Sequence, residues 1–312
     1  MNNYTTPVSS RQEENNYKYI SAVEQGGRVM DVVKTSFTPA CHIKRISKEL
    51  YLKGTYDKEG NFITTGEVYE VARKEEPMRN RRSLKRIFKE LRQLITHNYK
   101  GGKSELFVTL TYAEQTNDHK QVHADFKNFW KRLKRSFKEI DMSYISIVEP
   151  HGSGMFHIHL LLRANNTEYL YIDNRIMQDL WGLGFTQTER LEDVDNVGAY
   201  FIAYFSNLEI PPEKEAEYAL YGDIEEKNGK KYIKGKRLDF YPDGMQIHRH
   251  SRDIAKPEKL TGQAAENAIL INGVKPKFSH TKTIEMADKF GKVREAEVTT
   301  EQYEITKGDK PW

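Results

Sequence analysis

Between residues 83 and 208 the spacing of apolar residues switches back and forth between helical and strand periods. That alternation constrains the fold more than any other property of the chain. Leu84, Ile87, Phe88, Leu91, Leu94 and Ile95 recur at helical spacing, with Ser83 as the expected cap. LFVTLTY (106–112) then reads as a strand with Thr109 and Thr111 on one side. A second stripe, Val122, Phe126, Phe129, Trp130, Leu133 and Phe137, predicts a helix opened by Asn117 or Asp118. YISIVEP (144–150), HGSG and MFHIHLLLR (155–163) read as strand, turn and returning strand. A helical segment around Ile176–Trp181, the strand GFTQTERL and a helix over Val194–Asn207 complete the series, which Pro211 and Pro212 end. Strands joined by a tight turn and interleaved with helices imply an α+β fold, with a central antiparallel sheet covered by helices.

The flanks are expected to be additions to that core. Residues 1–20 are polar and expected to be disordered, and residues 21–82 read as a strand-rich N-terminal region with a turn over Asp57–Asn61. Residues 209–312 form a basic C-terminal extension, with a hairpin expected in LDFYPDGMQIHR (238–249). The single cysteine, Cys41, rules out an intrachain disulfide and a multi-thiolate zinc site, which suits a reducing cytoplasm. There is no apolar run of membrane-spanning length, and the N-terminus lacks the pattern of a secretory signal.

Net charge is only +4, but the charge is segregated. Arg73–Lys103 holds eleven Lys/Arg against three Asp/Glu, Lys120–Lys138 seven against one, and Lys227–Lys256 nine against three. Any one block reads equally as a solvated helix face; three together suggest a polyanionic partner. Aromatic residues among them, such as Trp130 and Tyr241, could stack on bases, although Trp130 also fits a core stripe. Gly102-Lys103-Ser104 resembles the end of a phosphate-binding loop, but position 97 is His97 rather than glycine, and the segment follows a helix instead of opening one. An ATP-driven motor within the chain is therefore not expected.

His157 and His159 flank Ile158. In a strand, residues i and i+2 share a face, so both imidazoles can converge on one ion while Ile158 enters the core. Alone, such a pair reads equally as two half-exposed histidines on a sheet. Glu149, at the end of the preceding strand, would return beside them across the turn as a third ligand, ahead of His151 within it. Two imidazoles and a carboxylate leave open positions on a divalent ion, a set suited to Mn²⁺ or Mg²⁺ at a phosphodiester. Tyr200 and Tyr204 lie four apart on the last helix and so share one face. They are candidate nucleophiles, and in a chain of 18 tyrosines the same spacing also describes core packing.

Taken in order, these segments resemble the HUH endonucleases of the rolling-circle replication (Rep) type found in Gram-positive plasmids and integrative elements. FVTLTY (107–112), EPHGSGMFHIHLLL (149–162) and NVGAYFIAY (196–204) resemble the three ordered motifs of that family. The likeness covers about 83–208, and RLDFYPDGMQIHRHSRDIAKP (237–257) resembles a region that follows this domain in such proteins. The resemblance implies an HUH/RRM-like core at 83–208 that nicks and joins single-stranded or extruded origin DNA in the bacterial cytoplasm. Tyr200 would be the nucleophile, forming a 5′-phosphotyrosine link, and Tyr204 the second tyrosine of a Tyr-x-x-x-Tyr subgroup. His157, His159 and Glu149 would hold the metal. A separate host helicase and polymerase would be partners, and no organic cofactor or membrane is implied. One departure stands out: where the family often has a lysine three residues after the first tyrosine, this chain has Ala203. Other readings are a relaxase or transposase of the same superfamily, or a non-catalytic DNA-binding protein with this fold.

Overall fold

In the computed structural model the described residues are 17–36, 42–45, 50–56, 62–70, 81–114, 116, 118–150, 155–191, 197–210, 212, 215, 224–227, 229–242, 244–272, 275–287 and 293–305. They fall into two units, one of residues 73–257 and one of residues 1–72 with 258–312.

The unit of residues 73–257 is built on a five-stranded antiparallel sheet. Its strands are β6 (Glu105–Thr111), β7 (Met142–Pro150), β8 (Phe156–Ala164), β9 (Thr186–Arg190) and β13 (His248–His250), in the order β13-β7-β8-β6-β9. β8 lies at the centre and is apolar on both faces, with Ile158, Leu160, Leu161 and Leu162 all buried. Register follows from that burial, because a slip of one residue would turn every side chain to the wrong face. Thr109 pairs with His159 and Thr111 with His157 on one side of β8; Ile147 and Glu149 pair with the same two histidines on the other. Paired residues share a face, so Glu149, His157, His159, Thr109 and Thr111 all stand on one side of the sheet.

Helices cover both faces. α1 (Arg81–Asn98) and α4 (Val197–Ser206) lie on the histidine face: Tyr99, just beyond α1, donates its hydroxyl to Leu161 O (2.9 Å), and Phe201 packs on Phe107 (4.6 Å between ring centroids). α2 (His119–Ser136) and α3 (Asn174–Trp181) lie on the other, where Phe126 meets Tyr144 and Trp181 meets Phe129. The expected apolar stripes are the buried ones: Leu84, Phe88, Leu91 and Ile95 in α1, and Val122, Phe126, Phe129 and Leu133 in α2. Asp118 caps α2 by accepting from Lys120 N (2.8 Å), whereas α1 starts at Arg81 and places Ser83 inside its first turn. α4 seats against α1 through Gly198. A Cβ there would lie 2.2 Å from Thr96 Oγ1 and 2.5 Å from Arg92 O, so only glycine allows the approach.

Two expectations for the flanks change. Residues 238–249 do not form a hairpin. Lys236–Phe240 is a 3-10 turn, and β13 crosses to pair with β7 as the sheet's edge strand, because β7 offers a ladder that a short local hairpin could not match. Disorder over residues 1–20 stops short as well: β1 (Tyr19–Gln25) begins at Tyr19, where Ile20 and Ala22 are buried. Residues 1–16 and the turn Asp57–Asn61 lie outside the described residues.

The second unit carries β1 with β2 (Val29–Thr35), β14 (Lys259–Thr261), β15 (Phe278–Ala287) and β16 (Val293–Glu304) in the order β14-β1-β2-β16-β15, with α5 (Gln263–Asn272) packed on it. β3 (His42–Arg45), β4 (Leu50–Tyr56) and β5 (Phe62–Glu70) form a separate antiparallel sheet. In residues 73–257 a small sheet of β10 (Leu208–Ile210), β12 (Lys230–Ile233) and β11 (Ile224–Lys227) follows α4 directly.

Candidate metal centre

Strand pairing brings Glu149, His157 and His159 together. One ligand atom from each lies within 4.8 Å of the others, as three donors to a single ion require. Glu149 is 3% exposed and His159 1%; His157 is half-buried and forms the open side of the cluster. His151, the competing third ligand, lies outside the described residues.

His159 is held on every side. Its Nε2 meets Glu149 Oε2, and its Nδ1 lies 3.2 Å from Thr109 Oγ1. The Phe107 ring stacks on it (5.5 Å between centroids, 7° between planes), and Phe205 of α4 packs at 4.9 Å. This enclosure pushes the His159 pKa down to about 3, because burial penalises the imidazolium. The neutral ring keeps a lone pair for a metal, and Thr109 on the far nitrogen can fix which tautomer presents it.

Glu149 draws in a residue that the motifs do not contain. Arg237, from the 3-10 turn, forms an ion pair through Nη1 with Glu149 Oε1. Its Nε donates to Asn207 O (3.1 Å), and Gly235 N donates to Asn207 Oδ1 (3.0 Å), tying the turn to the end of α4. Burial lowers the proton affinity of Arg237, yet a guanidinium stays charged at any physiological pH. The centre therefore holds a fixed cation although position 203 is alanine. The only sequence signal for it is that Arg237 opens the 237–257 stretch already singled out.

Tyr200 and Tyr204 lie on α4, the helix whose Phe201 and Phe205 reach Phe107 and His159. That places the backbone of both tyrosines beside the cluster; their side chains fall outside the described residues. Of the candidate stacking aromatics, Tyr241 is committed to the core: it is 5% exposed and packs edge-on against Phe88 (5.5 Å). Trp130 is partly buried against Tyr144 (4.6 Å), with Lys134 over its ring. The outer face of α2 carries exposed Lys120, Lys127, Lys131, Lys134 and Arg135, while Arg132 turns inward to Leu180 O and Trp181 O.

The residues fit a divalent ion: two imidazoles, one carboxylate and a supporting hydroxyl, in a dry pocket open at His157. Fold and site together define an α+β protein whose antiparallel sheet presents a buried Glu-His-His cluster able to bind a metal. A family model for replication-associated proteins of the ORF2 group matches residues 105–209, the stretch from β6 to β10 that contains the cluster and α4. The match supports a protein of a replication-initiator family, with DNA as its partner. Comparison with curated proteins and with solved structures finds no match. Among the described residues no helix is long and apolar enough to cross a membrane.

Proposed function

We propose that this chain is a rolling-circle replication initiator of the HUH type, which nicks and rejoins single-stranded origin DNA through a tyrosine. The observation that carries this reading is the Glu149–His157–His159 cluster lying under the helix that bears Tyr200 and Tyr204. A bound Mn²⁺ or Mg²⁺ would polarise the scissile phosphodiester. Held by His157, His159 and Glu149, it would sit where α4 and Arg237 converge.

The protein's own groups supply the rest. Tyr200 Oη attacks phosphorus, the bond to the 3′ oxygen breaks, and the tyrosine proton is given up as the 3′ hydroxyl is released. The 5′ phosphate stays on the tyrosine. Tyr204, one turn along, can carry the second transfer, in which a 3′ hydroxyl attacks the phosphotyrosine and frees the enzyme. Arg237 adds a fixed positive charge for the phosphate, the task left open by Ala203. Unwinding of the duplex falls to a separate helicase, and synthesis from the 3′ hydroxyl to a polymerase.

Incubation with origin-like single-stranded DNA and Mn²⁺ should give a covalent protein–DNA adduct on a denaturing gel. Tyr200→Phe should abolish it, while Tyr204→Phe should leave the first adduct and impair rejoining. No adduct with any strand or metal would leave a non-catalytic DNA-binding protein. ATP hydrolysis by the purified chain would contradict the separate-helicase reading.

A further inference from the structure

Phe185 is a large apolar side chain left in solvent, 67% exposed, at the start of β9. Two observations place it on the histidine face. Thr111 N donates to Phe185 O (2.9 Å), extending the β6–β9 ladder by one step beyond Leu110–Thr186, so Phe185 stands opposite Thr111. Thr111 pairs in turn with His157, and His157 with Glu149. Independently, Thr186 and Thr188 turn to the opposite face, where both hydroxyls meet Asn174 at the start of α3 (3.1 and 3.2 Å). Strand alternation therefore directs Phe185 and Gln187 to the side of the metal ligands.

Glu149, His157, Thr111 and Phe185 thus form one row across the sheet. Phe185 is two strands from His157, about 10 Å at the usual strand spacing. The backbone that carries it is held in place. Ala113 N donates to Leu183 O (2.9 Å), and Gly184, at φ 156°, runs so close to residues 111–113 that a Cβ would lie 2.2 Å from Thr111 O. An exposed aromatic ring on a fixed backbone, in line with the open side of the cluster, suits the face of a nucleobase.

We propose that Phe185 is a base-stacking platform that seats one nucleotide of single-stranded DNA beside the scissile phosphate. The inference rests on the nicking reading for the position of that phosphate, but the stack itself needs only strand binding. Stacking is indifferent to base identity, so Phe185 sets the distance between base and metal rather than the sequence read. It is a positioning residue: it touches a base and no reacting atom.

The test uses the full chain with Mn²⁺ and a fluorescein-labelled, mixed-sequence single-stranded oligodeoxynucleotide, followed by anisotropy. Phe185→Ala should weaken binding about 5- to 150-fold, the range for losing one base–aromatic stack. The salt slope should not change, because no phosphate contact is lost. Phe185→Trp should bind at least as well as the parent, with tryptophan emission quenched by DNA, and Phe185→Leu should not rescue. Unchanged affinity in Phe185→Ala, or full binding by Phe185→Leu, would overturn the proposal. Circular dichroism and Mn²⁺ affinity should match the parent in every variant, since the side chain is exposed. A binding defect in Phe185→Ala without any tyrosine adduct in the parent would remove the nicking chemistry and leave the stacking subsite standing.

Discussion

At the residue scale the centre depends on how a buried carboxylate is compensated. Glu149 is nearly inaccessible and would be costly without partners; it has His159 on one oxygen and Arg237 on the other. Arg237→Gln should therefore destabilise the metal-free protein by about 3–5 kcal/mol, the cost of breaking a buried pair on one side. Mn²⁺ should recover part of that loss by supplying a new counter-charge. Urea unfolding with and without the ion measures both, and equal loss in the two conditions would place the ion elsewhere. Thr109→Val keeps the shape beside His159 but removes the oxygen near its Nδ1. Mn²⁺ affinity should fall about 10- to 100-fold by titration calorimetry, as when an outer partner of a metal-binding histidine is lost.

At the scale of elements, the placement of α4 decides whether the tyrosines meet the metal. Gly198 lets that helix touch α1, and Phe205 anchors it over His159. Gly198→Val would force a side chain into Thr96 and Arg92 O, so α4 should lift away. The expected outcome is loss of adduct formation while Mn²⁺ still binds, because its ligands lie on β7 and β8. Phe205→Ala should cost about 3–5 kcal/mol in unfolding free energy, as a fully buried aromatic does. These elements are legible in the sequence because their signal is local. The stripes of α1 and α2 and the alternation of β7 and β8 are written within a few turns of chain. What the sequence hides is non-local. A hairpin is the natural reading of 238–249, since Pro242 and Gly244 are turn residues, but pairing with β7 supplies more hydrogen bonds than a self-paired hairpin could.

At the scale of the whole molecule, charge and pH come into play. The exposed lysines and arginine of α2 should make DNA binding strongly salt-dependent. Replacing Lys127, Lys131 and Lys134 together with Gln should lower the slope of log affinity against log salt, measured by anisotropy, if that face tracks the backbone. Stability should also fall in mild acid. Burial, and then the neighbouring His250, lower the pKa of His248 from 6.5 to about 4. The unfolded chain thus binds a proton that the folded chain refuses between about pH 6.5 and 4. Stability is lost as pH falls through that window and regained as it rises. His248→Gln should flatten this part of the urea-midpoint profile against pH.

Periodicity alone put His157 and His159 on one face, Ile158 in the core and Glu149 within reach across a turn, because side-chain direction in a strand follows from position parity. The same reasoning put Tyr200 and Tyr204 on one side of a helix. Only the tertiary structure could bring Arg237 to Glu149, far apart along the chain, or set Phe185 in line with His157. Those contacts depend on which strands become neighbours and where a turn docks, and such choices are made by the burial of the whole core rather than by any short stretch of sequence.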